Sequence, residues 1–106
     1  MVTQQIAIKK VSDFTQELKS LGIHLRKVIL FGSYARNEQR QWSDIDVAIA
    51  ADEFIGIGYN DRKFFSMINI KNEYMEIETK TYPTDYFNEG DPFIDEIKRT
   101  GIEIEV

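Results

Sequence analysis

The sequence predicts a small α/β (α+β) fold in which helices pack against a mixed sheet of three to four strands. Helical and extended patterns alternate from end to end, and no repeat or low-complexity tract interrupts them. Residues 26–31 are apolar on both alternating faces, as expected of a strand that is covered on both sides. Because 42% of the 106 residues are hydrophobic, one buried core is feasible, and we expect a single domain over residues 1–106.

The first predicted element is an amphipathic helix whose apolar residues recur at steps of three and four and which ends at Gly22. Its start is open, because Thr3 can cap a long version and Ser12 a short one that leaves residues 4–9 extended. The buried strand over residues 26–31 follows.

Gly32 and Ser33 interrupt this strand, and Ser33 can cap a short helix over residues 34–39. Residues 43–50 predict a second strand. Residues 60–72 then predict a helix that carries aromatic and apolar side chains on its core side.

The last third of the chain predicts a third strand over residues 73–82, ended by Pro83. Its alternation places three residues on one face and three on the other: Met75, Ile77 and Thr79 against Glu76, Glu78 and Lys80. A final helix opens at Asp91-Pro92 and stops at Gly101. Residues 102–106 alternate again and predict a short edge strand.

Composition excludes several classes of site. The chain has no cysteine, which excludes a disulfide framework, a thiolate zinc site and a cysteine nucleophile and agrees with a reducing cytoplasm. His24 is the only histidine, and its place between two apolar residues favours a structural role. The net charge of -5 disfavours a nucleic-acid partner, and the longest apolar run is far too short to span a membrane. We therefore expect a cytoplasmic protein with no membrane partner.

Two carboxylates lie side by side on the second predicted strand. Asp44 and Asp46 share one face, about 6–7 Å apart at Cα by strand rise. Like charges this close need compensation when they are buried, and Mg²⁺ supplies it because it prefers carboxylate, water and phosphate oxygens. The alternative is that both aspartates face solvent on an ordinary strand.

A glycine-serine turn ten residues upstream favours the metal interpretation. Gly32 ends a hydrophobic strand, so backbone N–H groups are unpaired there and attract anions. Glycine lets a phosphate approach the backbone closely, and the Ser33 hydroxyl adds a donor. The two motifs together predict a phosphate cradle beside a metal platform.

This combination resembles the signature of the nucleotidyltransferases of the DNA polymerase beta superfamily. Gly32-Ser33, ten intervening residues and Asp44-x-Asp46 carry the resemblance, and the flanking runs LFGSYAR and SDIDVAI match as well. The likeness covers nearly the whole chain and is strongest to the minimal single-domain group, whose members often act as antitoxins partnered with HEPN proteins. It implies the nucleotidyltransferase fold.

The resemblance also implies the cofactors and the reaction. Asp44 and Asp46 would hold two Mg²⁺ ions, and Gly32 and Ser33 would hold the β- and γ-phosphates of ATP. Two metals about 3.5–4 Å apart would stabilise the attacking and leaving oxygens of an in-line displacement at the α-phosphorus. A third carboxylate on a neighbouring strand would bind the metal nearer the acceptor and serve as general base.

Glu78 and Glu76 are the candidates for that third carboxylate, since parity places both on one face. The run Ile77-Glu78 matches relatives better, which favours Glu78. Relatives usually carry Gly where this chain has Asn37, a residue that tolerates the left-handed conformation the turn needs. Lys80 could blunt the metal site or contact phosphate.

Four further residues have two interpretations each. Arg36 either points at the phosphate or is a solvated arginine, and Ser43 either orients a carboxylate or caps the strand. Trp42 either stacks on a base or, as we favour, packs within the fold. Tyr34 either packs or contacts a partner.

The resemblance implies a partner as well. The leading hypothesis is an antitoxin that places AMP on a hydroxyl, plausibly of a tyrosine, of a HEPN-type toxin, while a homodimer mate or a small alcohol is another source of the acceptor. The alternative is a module with a vestigial pocket that neutralises its partner sterically. Transfer to a drug such as an aminoglycoside is a third, weaker hypothesis.

Overall fold

The computed structural model describes residues 2–56, 61–65, 74 and 76–106. Its elements in chain order are α1 (Gln4–Ser20), β1 (Leu25–Phe31), β2 (Ile45–Ala51), a 3₁₀ turn (Arg62–Phe64), β3 (Ile77–Pro83), α2 (Thr84–Glu89), α3 (Pro92–Thr100) and β4 (Ile102–Ile104). The strands form one mixed sheet in the order β3-β2-β1-β4. This confirms the predicted class, a small mixed sheet of three to four strands packed with helices, and the sheet has four strands. None of the described helices has the length and apolar character needed to cross a bilayer.

The register of the sheet aligns the chemically informative strands. β1 runs antiparallel to β2 and β4, and β2 runs parallel to β3. Phe31 at the end of β1 pairs with Asp46 near the start of β2, and Asp46 pairs with Glu78 on β3. The short β4 lies at one edge, as the alternation of its sequence predicts.

Helix α1 covers one face of the sheet. Its long version is confirmed, since the Thr3 side chain accepts a hydrogen bond from the backbone of Ile6 at 3.2 Å. One side of the helix is buried against one face of the two central strands. The core residues of this layer include Ala7, Val11, Phe14, Leu18, Val28, Leu30, Ile45, Val47 and Ile49. Dispersion and water exclusion across this layer hold the sheet to α1.

Helices α2 and α3 cover part of the opposite face. That second core joins Ile29, Ala48, Ala50, Phe87, Ile94 and Ile97. α3 begins and ends as predicted, because the Asp91 side chain accepts from the backbone of Ile94 at 2.8 Å and the helix stops at Gly101. α2 is absent from the sequence prediction: it has one buried residue, Phe87, and no side-chain cap, so its six residues carry little helical signal.

Two predictions are corrected, and a third lies largely outside the described residues. Residues 32–37 form turns rather than a helix, because Asn37 adopts a left-handed φ of 56° and the Glu38 N–H donates to the Ser33 carbonyl at 2.8 Å. The third strand begins at Ile77, and residues 73 and 75 lie outside the described part. Most of the helix predicted over 60–72 also lies outside it, and its described portion is a single 3₁₀ turn.

A buried carboxylate links the loop after β2 to β3. Asp61 is 1% exposed and accepts hydrogen bonds from the backbone of Ile55 at 3.1 Å and of Gly56 at 3.0 Å, and from the Thr81 hydroxyl at 2.6 Å.

Asp61→Ala leaves these three donors without an acceptor, so we expect the free energy of unfolding in urea to fall by about 3 kcal/mol. The control is Asp13→Ala on the exposed face of α1, where loss of the ion pair with Lys9 should change stability by about 0–1 kcal/mol. Equal effects in the two variants would contradict the structural role of Asp61.

Candidate active site

Three carboxylates form a row across the start of β2 and β3. Asp46 shares its face of β2 with the small residues Ala48 and Ala50, and its register partner on β3 is Glu78. Asp44 lies just before β2, and its carboxylate is within hydrogen-bonding reach of Glu78. We call Asp44, Asp46 and Glu78 the carboxylate row.

The electrostatics of the row show an excess of negative charge. Burial raises the pKa of Asp46, and the charge of Asp44 raises it further. A hydrogen bond in which protonated Glu78 donates to Asp44 raises the pKa of Glu78, and the charges of Asp44 and Asp46 act in the same direction. Lys80 lowers both pKa values without reversing either shift. A further cation at this place would relieve the repulsion.

Gly32 brings the glycine-serine turn directly against the row. Its φ is +75°, a left-handed conformation that glycine adopts without strain. A Cβ atom built on Gly32 would overlap Oδ2 of Asp46. The spacing of the two sequence motifs therefore reflects physical contact between the turn and the second aspartate.

The turn is held in shape from within and from α1. The carbonyls of Gly32 and Ser33 accept hydrogen bonds from the backbone N–H groups of Arg36 at 3.2 Å and Glu38 at 2.8 Å. The Gln4 side chain donates to the carbonyls of Tyr34 at 2.9 Å and Ala35 at 3.3 Å. Hydrogen bonds from its own backbone and from Gln4 therefore fix the shape of the turn beside the row.

Gln4 is a positioning residue that the sequence interpretation missed. It lies 30 residues before the carbonyl of Tyr34 to which it donates, on a helix whose predicted start was itself open. No local pattern marks such a contact, because a single exposed-looking glutamine in the first turn of a helix is common. Only the packing of α1 against the turn identifies it.

Glu76 lies apart from the row. Its carboxylate pairs with the Lys10 ammonium of α1 at 3.0 Å, and its carbonyl accepts from the backbone of Ile45 at 2.8 Å. The parity argument that put Glu76 beside Glu78 assumes one continuous strand, but β3 begins only at Ile77. Of the two candidates for the third carboxylate, the structure places Glu78 beside the aspartates.

Arg36 and Ser43 occupy the rim of the turn. The Arg36 guanidinium lies 3.7 Å from Glu38 and is half exposed, yet its charge acts to lower the pKa of Asp46. The Ser43 hydroxyl accepts from the backbone N–H of Arg40 at 2.8 Å, and its own N–H donates to the Arg40 carbonyl at 3.0 Å. Ser43 therefore closes a tight turn just before Asp44.

The structure decides between the interpretations of Trp42, Tyr34 and His24. Trp42 is 87% exposed, so our preferred interpretation that it packs within the fold is wrong. Tyr34 is 2% exposed and belongs to the core beneath α1, which contradicts a partner contact. His24 pairs with Glu53 at 2.6 Å on the surface, in agreement with a structural role.

The carboxylates of the row are chemically compatible with Mg²⁺, but they do not form a complete ligand set by themselves. Within the described ranges, no three acidic or histidine side chains stand in a complete metal-ligating arrangement. Mg²⁺ commonly takes one or two carboxylates and completes its octahedron with waters and phosphate oxygens. Repulsion among the three carboxylates contributes to the raised pKa values of Asp46 and Glu78, and a bound cation would reduce that repulsion.

Comparisons with known proteins agree with this geometry. A family model described as "Polymerase beta, Nucleotidyltransferase" matches residues 9–105. The chain is 31% identical over 103 residues to "Putative protein adenylyltransferase MJ0141" of Methanocaldococcus jannaschii, covering 92% of this chain and 97% of that protein. It is 44% identical over 45 residues to "Putative protein adenylyltransferase MJ0604" of the same organism, covering 42% of this chain and 45% of that protein. The family model thus spans all four strands.

Proposed function

The chain belongs to the polymerase beta nucleotidyltransferase family, and from that membership we propose that it transfers AMP from ATP to a hydroxyl group of a partner protein. The observation that carries the proposal is the contact between Gly32 and Asp46, which joins a turn suited to phosphate with a row suited to Mg²⁺. The names of both relatives also describe protein adenylyltransferases.

ATP binding uses the turn and the row together. The N–H groups of Gly32 and Ser33 and the Ser33 hydroxyl would donate to the β- and γ-phosphates. Asp44 and Asp46 would hold Mg²⁺ with those phosphates, and Glu78 would complete the site on the neighbouring strand. When bound, Mg²⁺ neutralises charge on the triphosphate and orients it for displacement.

Transfer is an in-line displacement at the α-phosphorus. The acceptor oxygen forms a bond to phosphorus while the bond to the bridging oxygen breaks and pyrophosphate leaves. The proton of the acceptor hydroxyl passes to the Glu78 carboxylate, which lies beside Asp46 on the neighbouring strand. Arg36 at the rim would add positive charge near the departing pyrophosphate.

For the acceptor we propose a HEPN-type toxin, which makes this chain an antitoxin acting in the cytoplasm. The net charge of -5 and the resemblance to minimal nucleotidyltransferases support a protein acceptor over a nucleic acid. Adenylylation of a hydroxyl adds a bulky anionic group, which would disrupt a toxin's own binding site.

The test is to mix the protein with a candidate HEPN partner, ATP and Mg²⁺ and to weigh the intact partner. We expect the mass of AMP to be added, and the addition to vanish when Asp44 and Asp46 are both changed to Asn. Asp13→Asn, a matched change on the exposed face of α1, should leave the addition intact. If the double variant still neutralises the partner with no mass change, the steric module replaces the enzyme.

A further inference from the structure

An exposed aromatic ring and a lysine stand beside the carboxylate row and have no role in the reaction so far. Phe93, at the start of α3, is 48% exposed and meets Phe31 edge-to-face with ring centroids 5.8 Å apart. The Lys80 ammonium lies 5.7 Å from the centroid of the same Phe93 ring.

The register of the sheet fixes where this pair lies relative to the row. Phe31 pairs with Asp46 on one side of β2, while Lys80 follows Glu78 by two residues on β3 and pairs with Ala48. Since Phe93 contacts both Phe31 and Lys80, its ring bridges from β1 to β3 across β2. The small side chain of Ala48 leaves room for it.

Lys80 lies on the far side of the row from the phosphate turn. β1 and β2 are antiparallel, so the turn after Phe31 lies toward the Asp44 end of β2. Lys80 and its partner Ala48 lie two residues beyond Glu78 and Asp46 along their strands, in the opposite direction. The row therefore lies between the turn and Lys80, and the Phe93 ring reaches across it from Phe31 to Lys80.

We propose that Phe93 and Lys80 form the acceptor side of the site, an inference that rests on the proposed nucleotidyl transfer. In an in-line displacement the attacking oxygen approaches opposite the leaving group. With pyrophosphate at the turn, the acceptor oxygen comes from the side of Lys80, where that ammonium meets the Phe93 ring. The Phe93 ring contacts the apolar part of the acceptor group, and the Lys80 ammonium faces the oxygen as it bonds to phosphorus and releases its proton to Glu78.

Lys80 is suited to this task by its contacts. Its ammonium stands against the Phe93 ring, two residues along β3 from Glu78, so it is near an oxygen placed between the row and Phe93. The Phe93 ring is held by Phe31 and by the Lys80 ammonium, which leaves about half of its surface free for contact. A preordered aromatic surface binds with little loss of side-chain entropy.

The experiment measures binding by calorimetry in the presence of Mg²⁺, with ATP, AMP and the phenyl and methyl esters of AMP as probes. The esters carry both the adenylyl group and a model acceptor. We expect Phe93→Ala and Lys80→Met each to lower the affinity for the phenyl ester about tenfold and the affinity for ATP less than about twofold. Lys80→Arg should keep most of the affinity for the phenyl ester, and Phe93→Leu serves if Phe93→Ala does not fold.

The controls remove similar groups from the opposite face of the sheet. Ile6→Ala takes away an apolar side chain of comparable exposure on α1, and Lys9→Met takes away an exposed charge on the same helix. Neither should change the affinity for any probe. Melting temperatures of all variants separate loss of binding from loss of folding.

Three outcomes overturn the inference. If Phe93→Ala or Lys80→Met lowers the affinity for ATP as much as the affinity for the phenyl ester, the pair binds the nucleotide and not the acceptor. If neither variant changes the ester affinity, or if the wild type binds the esters no better than AMP, the pair has no part in binding the acceptor. If the wild type fails to bind ATP with Mg²⁺, the proposed function itself fails, and this result is distinguishable because it does not depend on either variant.

Discussion

Asp46→Asn is expected to lower nucleotidyl transfer by about 10³-fold or more while raising the melting temperature of the metal-free protein at neutral pH. Activity falls because the carboxylate that contacts the turn is neutralised. Stability rises because burial and the charge of Asp44 both disfavour ionised Asp46 in the folded state. Opposite effects on activity and stability are the mark of a group that is kept charged for binding.

The gain in stability has a defined pH dependence. Folding raises the pKa of Asp46 above its ordinary value of 3.8. Below pH 3.8 the side chain is protonated and does not destabilise the folded wild type, but the wild type loses stability as the pH rises through the higher folded pKa. Asn has no charge to develop. The difference in melting temperature between variant and wild type should therefore be small near pH 3.5 and grow toward pH 7.

Magnesium should reverse the order of stability. Millimolar Mg²⁺ with a non-hydrolysable ATP analogue is expected to raise the melting temperature of the wild type and to leave Asp46→Asn unchanged. Asp13→Asn on α1 should follow the wild type in both conditions. A variant with lower stability than the wild type at pH 7 without metal would contradict a carboxylate row in electrostatic conflict.

The sequence was sufficient to predict the central strands and to single out the two aspartates of the row. Period-two alternation put Asp46 with the alanines on one face, and the glycine turn ten residues away matched a known spacing. The choice between Glu76 and Glu78 needed the first residue of β3, which depends on pairing with β2 and on the attraction of Lys10 for Glu76. Strand ends are set by such tertiary contacts more than by local pattern.

Contacts between distant segments account for the other omissions. Gln4 reaches the turn because α1 packs beneath it, and Phe93 reaches Lys80 because α3 crosses the sheet. The exposure of Trp42 is likewise a property of the surrounding fold, since hydrophobicity alone favours burial of an indole. Residue type and spacing carry no information on these neighbours.

Gly32→Ala is expected to lower the affinity for ATP with Mg²⁺ by about a hundredfold or more while destabilising the fold only modestly. The added Cβ would overlap Oδ2 of Asp46 and must displace that carboxylate. Because Oδ2 is the end of a side chain that can rotate, the overlap is relieved at little expense to the core. The rotation moves Asp46 away from the turn, which separates the metal platform from the phosphate donors.

Gly22→Ala provides the matched control. Gly22 has a φ of +85°, close to the +75° of Gly32, but an added Cβ there meets no atom within 4 Å. Both variants bear the strain of a left-handed alanine, about 1–2 kcal/mol, so their losses in urea unfolding should be similar. Only Gly32→Ala should lose ATP binding, and in the Asp46→Asn background Gly32→Ala should add little further loss, because the carboxylate it displaces has already been neutralised. Equal ATP affinity in the two glycine variants would mean that the closeness of the turn to Asp46 is irrelevant to binding.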